Sequence, residues 1–246
     1  MSRSAACIFL LICVFGTNPA AFSQNPTSAN AQPSALEPGA GALKLYHTAL
    51  RIQMPVFVGP EYTGFAGKLK GHPFYGSDLW EDGTLTFDGI TYAAVPLLYD
   101  IANDLVVVVQ PGEQGTLHKI QIAVENVQNF STKGHSFTRL DSTIQDMPGG
   151  FYDQLYLGQV QVLAKRTKTT LKQSTGLTFN QKDTYFIHKN GQYYPVKSKG
   201  SVLKVFADKK ADLQKFMKEQ GVDFAQNPEA AMVRLAKAYD QLTSRP

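Results

Sequence analysis

Two turn dipeptides, Asp88-Gly89 and Asn190-Gly191, each lie between segments in which apolar and polar residues alternate. A two-residue hairpin needs positive φ at both central positions, and Asp-Gly and Asn-Gly tolerate that conformation well. Period-two alternation is typical of a half-buried β-strand. The pattern therefore predicts β-hairpins whose strands lie at residues 84–87, 90–101, 184–189 and 192–196.

Further strand signals fill the middle of the chain, at residues 105–110, 116–124, 135–140, 151–157 and 159–170. The segments that join them are too short for the helical crossovers that parallel strands require. We therefore expect an α+β protein, mainly β, in which residues 42–200 form an antiparallel meander sheet. The spacing allows either a partial barrel or a sandwich, and the curled partial barrel is the preferred interpretation.

After Gly200 the apolar period changes from two to about 3.6, which indicates a change from strand to helix. Asp208 and Asn227 suit the N-caps of two helices, and Pro228 suits the first turn of the second. We predict a C-terminal αα-hairpin, within residues 201–246, that packs on the β domain. Its apolar faces contain Leu213, Phe216, Met217, Met232, Leu235, Tyr239 and Leu242.

Residues 1–23 have the composition of a secretory signal peptide, with a basic start, an apolar run and small residues before a cleavage site near Ser23. The apolar run is too short to cross a bilayer, which needs about 20 residues. Cys7 and Cys13 lie inside this segment, so we expect a cysteine-free mature chain without a transmembrane segment. Residues 24–41 contain three prolines and no aromatic residue, which predicts a disordered linker. The expected location is periplasmic or secreted.

Charge is distributed unevenly, with a net charge of −5 over residues 24–149 and +8 over residues 150–246. A basic half can meet an anionic partner such as a lipid headgroup, a glycan or a cell-wall polymer. The two halves can equally be solvated faces of one fold, because no dense block of like charge occurs. Export argues against nucleic acid as a partner.

Polar groups and aromatic rings occur together at residues 71–82, and we predict that this loop binds the ligand. A hydrolase would use His72 as a base oriented by Asp78, but no G-x-S-x-G elbow accompanies these residues. A structured loop that seals one end of the sheet is the alternative without a ligand. The candidate ligand-binding residues are His72, Phe74, Tyr75, Asp78 and Trp80.

The five histidines do not occur at the spacings of local metal sites, and no phosphate loop or dinucleotide fingerprint is visible. We therefore predict no metal and no cofactor. Aromatic residues are frequent on the predicted strands, so a carrier with a cavity for a lipid or another apolar ligand is an alternative function. Core packing of the same rings is the simpler interpretation.

A series of short motifs runs through the chain: Gly71-His72-Pro73-Phe74, Ser77-Asp78-Leu79-Trp80, Phe87-Asp88-Gly89-Ile90-Thr91-Tyr92, Val95-Pro96-Leu97-Leu98-Tyr99-Asp100, Gly150-Phe151-Tyr152, Lys165-Arg166 and Tyr193-Tyr194-Pro195-Val196-Lys197-Ser198-Lys199. From about Leu45 to Leu242 the series resembles a set of uncharacterised exported proteins from Bacteroidetes. The resemblance implies an exported bacterial product and no particular reaction. We therefore expect a non-enzymatic binding or accessory module of the bacterial envelope, whose partner is an envelope protein, a glycan or a lipid.

Overall fold

The computed structural model describes residues 55–111, 116–142, 147–174 and 176–244. The predicted signal peptide with its cleavage site, the predicted linker and both cysteines lie outside these residues. Within the described part of the chain, no helix is both long and apolar enough to cross a membrane.

The described residues form eleven strands: β1 (Leu69–Lys70), β2 (Glu81–Phe87), β3 (Ile90–Asp100), β4 (Leu105–Pro111), β5 (Leu117–Gln121), β6 (Val127–Thr132), β7 (His135–Leu140), β8 (Gly150–Leu157), β9 (Gln161–Gln173), β10 (Gly176–Lys189) and β11 (Gln192–Val196). They belong to one sheet in the order β1-β10-β9-β8-β7-β6-β2-β3-β4-β5, with β11 paired to β10. Only β1 and β10 pair in parallel among these strands. The predicted mainly antiparallel sheet is confirmed, and the sheet is not closed into a barrel.

Left-handed backbone at two-residue turns produces the hairpins that the sequence predicts. The φ angles are 49° and 77° at Asp88 and Gly89, between β2 and β3, and 53° and 77° at Asn190 and Gly191, between β10 and β11. This conformation matches the twist of the paired strands, which is why these dipeptides are favoured there.

Strand β6 was not predicted from the sequence, although it pairs with both β2 and β7. Its burial does not alternate strictly, because two exposed residues separate the buried Val127 from the buried Phe130. The pairing register with β2 shifts between Thr86 and Phe87, which accounts for this irregularity. A bulged strand therefore lacks the clean period of two on which sequence prediction depends.

Aromatic side chains from four strands pack together on one face of the sheet. Tyr99, Phe130, Phe137 and Phe151 are each at most 1% exposed. Their ring centroids lie 4.9 to 5.9 Å apart, mostly in edge-to-face geometry, which favours aromatic pairs beyond simple burial. These four rings therefore fill the space between β3, β6, β7 and β8.

Three α-helices follow the sheet in the described residues: α1 (Lys199–Val205), α2 (Lys210–Glu219) and α3 (Pro228–Thr243), with a 3-10 turn at Ala207–Lys209 before α2. The predicted C-terminal helix pair is confirmed as α2 and α3, and α1 is a short additional helix capped by Ser198. Asn227 caps α3 as predicted, since its side chain accepts from the Ala230 amide at 2.9 Å. The prediction that Asp208 caps α2 was wrong, because its carboxylate is engaged by side chains of β10 and α3.

The helices cover part of the sheet through a second apolar cluster. Strand residues Val162, Ile187 and Val196 contribute to it, and all three are at most 3% exposed. On the helical side, the rings of Phe206 and Tyr239 stack with centroids 4.5 Å apart. Burial of both apolar faces explains why the helix pair and the sheet remain together.

Asp240 of α3 makes a polar contact with the turn between β8 and β9. One carboxylate oxygen accepts from the Tyr156 hydroxyl and from the Gln159 amide, both at 2.8 Å, and the other accepts from the Val160 amide at 3.2 Å. Asp240 is only 8% exposed. These bonds supply partners for polar groups that α3 covers.

Candidate functional site

The predicted binding loop at residues 71–82 lies beside the end of β3, where Phe74 forms an antiparallel bridge with Asp100, and it also contacts β9. The Tyr75 amide donates to the Tyr99 carbonyl at 2.8 Å. The ammonium group of Lys168 donates to the carbonyls of His72 and Phe74 at 3.0 and 2.6 Å. The backbone of the loop is therefore held by two strands.

The aromatic residues of the loop separate into two environments. Phe74 and Trp80 pack in a small cluster with Tyr62, whose ring centroid lies 5.9 Å from that of Phe74. Tyr75 packs against the main aromatic core instead. Asp78 is exposed. The structure thus brings Phe74 and Trp80 together but places Tyr75 elsewhere.

His72 is half-buried, and its ring stacks on Phe74 with a centroid distance of 6.1 Å. Burial lowers the pKa of His72, and the charge of Lys168 lowers it further, whereas the charge of Asp78 acts in the opposite direction. No hydrogen bond joins His72 to Asp78 among the described residues, and His72 Nδ1 is buried without a partner there. The contact that the hydrolase hypothesis requires is not formed. Ligand binding by the five loop residues stays a prediction.

A larger polar network surrounds Arg166 of β9, whose side chain is 5% exposed. Its Nε and Nη2 both donate to one oxygen of Asp153, at 3.0 and 2.6 Å. Its Nη1 donates to Asp183 and to Glu229, each at 2.7 Å. One buried guanidinium thus joins β8, β10 and the first turn of α3.

Pairing outweighs the cost of burial for the charges of Arg166 and Glu229. Burial alone would lower the pKa of Arg166, but hydrogen bonds and charges of Glu229 and Asp153 raise it above its ordinary value. Burial alone would raise the pKa of Glu229, but the hydrogen bond and charge of Arg166 lower it. Both side chains are therefore charged at neutral pH.

His135 extends the network towards solvent. Its Nδ1 lies 2.9 Å from Asp153, and its side chain is 34% exposed. The ring contacts Tyr75 and Phe137 with centroid distances of 5.3 and 6.5 Å. Because the Asp153 carboxylate is an acceptor held by Arg166, Nδ1 is the protonated nitrogen in the neutral ring, and Nε2 is an acceptor. No other described residue hydrogen bonds to Nε2.

A groove of about 470 Å³ opens beside His135. The turn between β6 and β7, part of β8 and the start of α3 form its walls, and Leu155 and Val233 add apolar surface. No described group of three or more His, Cys, Asp or Glu side chains is arranged to hold a metal ion. The polar residues that line the groove are His135, Ser136, Gln154, Asn227, Glu229 and Arg234.

Lys165 precedes Arg166 in β9 but belongs to a separate network, because adjacent side chains of a strand point to opposite faces. Its Nζ lies 2.7 Å from Asp104 and also donates to the Phe151 carbonyl at 3.2 Å. Gly150 has a φ of +119° and lies against this ion pair, where an added Cβ would overlap the Asp104 carboxylate. Glycine is therefore required at this position.

Sequence reasoning missed the network around Arg166, because its members are far apart in the chain. The available signal was the pair Lys165-Arg166, directly after the apolar run at residues 162–164. Charged residues on a buried strand require partners. The spacing along the chain does not identify those partners, since they lie on β7, β8, β10 and α3.

No protein-family model, curated protein or solved structure matches this chain. Its function must therefore be inferred from the geometry of the described residues.

Proposed function

We propose that this chain is a non-enzymatic binding module of the bacterial envelope that holds a glycan in the groove beside His135. The observation that carries this proposal is the contact between His135 and the buried Asp153, 2.9 Å long. It fixes the imidazole at the groove wall with Nε2 available to a ligand. A polar group that is already oriented loses less conformational entropy when the ligand binds.

The groove presents hydrogen-bond donors and acceptors together. Glu229 uses Oε2 to accept from Arg166 and Tyr185, and Oε1 makes no hydrogen bond to the described residues. Asn227 uses Oδ1 to cap α3, which leaves its amide nitrogen as a donor. A hydroxyl group both donates and accepts. The mixed lining therefore suits a hydroxyl-rich ligand better than a ligand with a single type of charge.

The local geometry favours binding over hydrolysis at this site. Ser136 lines the same groove, but adjacent residues of a strand direct their side chains to opposite faces. No hydrogen bond joins Ser136 to His135 in the described structure. A serine nucleophile needs a base within hydrogen-bond reach, so this pair does not form the arrangement that acyl transfer requires.

Glycan binding is expected to depend on His135. Oligomers of N-acetylglucosamine, glucose and mannose, tested by saturation-transfer NMR and titration calorimetry, should include at least one ligand of the wild-type protein. The change His135→Ala should weaken the binding of that ligand about tenfold, or about 1.4 kcal/mol, because the pre-oriented imidazole is lost.

His118→Ala is the matched control, because it removes an exposed histidine of β5 that does not line the groove. Binding in this variant should equal that of the wild type. If no oligomer binds, or if both variants bind as well as the wild type, the groove is not a glycan site.

Location in the envelope is part of the proposal and depends on the N-terminal sequence. Expressed as the full chain in a Gram-negative host, the protein should accumulate in the periplasm or medium. N-terminal sequencing and intact mass should show a chain that starts at Gln24. A Leu10→Arg variant, which interrupts the apolar run, should stay unprocessed. A wild-type product in the cytoplasm that still starts at Met1 would contradict export.

A further inference from the structure

Three ammonium groups line a second concavity, on the helical side of the protein. This cleft has a volume of about 650 Å³ and lies between the start of α1 and α2. Its residues include Lys199, Lys215 and Lys218, with Met217 and Val222 at its apolar base. We call it the lysine cleft. It shares no lining residue with the groove beside His135.

The positive charge of the lysine cleft is almost uncompensated. All three lysines are exposed, and no carboxylate is among the described residues that line the cleft. Lys215 lies 3.9 Å from Glu219, but the two side chains are 76% and 58% exposed, so the attraction is weak. Lys199 and Lys218 form no ion pair with the described residues.

The surrounding segment adds to this field. Residues 197–218 contain four lysines besides those of the cleft, at positions 197, 204, 209 and 210. The same residues contain two carboxylates: Asp208, which is paired with Lys189 of β10 at 2.6 Å, and Asp212, which is exposed on α2. Seven lysines against two carboxylates leave an excess of positive charge, and a concave surface with such an excess raises the local concentration of the opposite ion.

The geometry of the cations is compatible with a phosphoryl group. The planar fork of arginine matches a carboxylate or a phosphate in two parallel hydrogen bonds, whereas a lysine ammonium is a compact point charge that binds phosphate oxygens singly. The cleft holds lysines and no arginine among its described residues. A tetrahedral group with several charged oxygens can meet three ammonium groups from different directions.

We propose that the lysine cleft binds a multiply charged phosphoryl group, carried either by a soluble polyphosphate or by the headgroup of an anionic lipid. This inference is independent of glycan binding, because the two sites use different residues. The His135→Ala variant should therefore keep its full affinity for phosphoryl ligands.

Sodium tripolyphosphate, titrated into the full-length mature protein at low ionic strength, is the first probe. The triple variant Lys199→Gln, Lys215→Gln, Lys218→Gln should bind it at least tenfold more weakly than the wild type. A control triple variant, Lys70→Gln, Lys119→Gln, Lys182→Gln, removes the same charge from exposed positions on the sheet. The control should stay within twofold of the wild type. An equal loss of affinity in both variants would show that only the net charge matters, and it would overturn the proposal.

Citrate tests the choice of a phosphoryl group over a carboxylate, and it should bind at least tenfold more weakly than tripolyphosphate. Equal affinity for the two anions would overturn that choice. Cosedimentation with vesicles of phosphatidylcholine, with and without phosphatidic acid, whose phosphomonoester can carry two charges, distinguishes the sources. If the wild type binds the anionic vesicles and the cleft triple variant does not, the result supports a lipid headgroup. If the wild type binds tripolyphosphate but not the vesicles, the result supports a soluble ligand. Failure to bind either probe overturns the proposal.

Discussion

Replacement of Arg166 by leucine is expected to destabilise the protein by about 3–5 kcal/mol, the usual cost of leaving buried charge without its partner. The change removes the cation that compensates Asp153, Asp183 and Glu229. Asp153 is 1% exposed and cannot regain hydration in the folded state. Urea unfolding at neutral pH, followed by far-UV circular dichroism and the fluorescence of Trp80, should show a lower midpoint.

Arg139→Leu is the matched control for this experiment. Arg139 also lies on a strand, but it pairs at 3.4 Å with Asp141, whose side chain is 72% exposed. An exposed pair contributes at most about 1 kcal/mol, so the midpoint should hardly change. If Arg166→Leu costs no more than Arg139→Leu, the network around Arg166 is not a main source of stability.

The change Asp240→Ala is expected to cost about 2–4 kcal/mol, because it leaves buried donors without an acceptor. The donors are the Tyr156 hydroxyl and the amides of Gln159 and Val160. Thermal unfolding should begin at a lower temperature. Native-state hydrogen exchange should accelerate at the two amides, since the contact between α3 and the sheet is weakened there.

Asp212→Ala provides the comparison, because Asp212 is an exposed carboxylate on the neighbouring helix α2. It should leave exchange at Gln159 and Val160 unchanged. Unaltered exchange at both amides in Asp240→Ala would contradict the role assigned to this carboxylate.

Local features of the chain predicted most of the sheet and the helix pair. Asp88-Gly89 and Asn190-Gly191 indicate hairpins because these residues adopt the positive φ angles that a two-residue turn needs. The alternation of apolar and polar residues indicates the strands beside them. Strand β1 has only two residues, Leu69–Lys70, and pairs in parallel with β10 through contacts distant in sequence. Such a strand has no periodic signal, so no local rule could predict it.

The groove beside His135 could not be predicted from the sequence, because a single sequence does not show which distant residues are in contact. The loop at residues 71–82 is a candidate site in the sequence because its polar and aromatic residues are neighbours in the chain. His135, Asp153 and Glu229 are separated by long intervals, and only the sheet order and the docking of α3 place them around one arginine. Proximity in sequence therefore gives no indication of this network, and ligand binding by the loop stays a prediction.

Helix α3 is attached to the sheet by a carboxylate near each end, Glu229 at its start and Asp240 near its close. At 1.5 Å per residue these attachments are about 16 Å apart along the axis. An apolar stripe by itself would let a helix slide by one turn and still bury its side chains. Two distant carboxylates cannot both keep their partners after such a slide, so α3 can pack on the sheet in only one position.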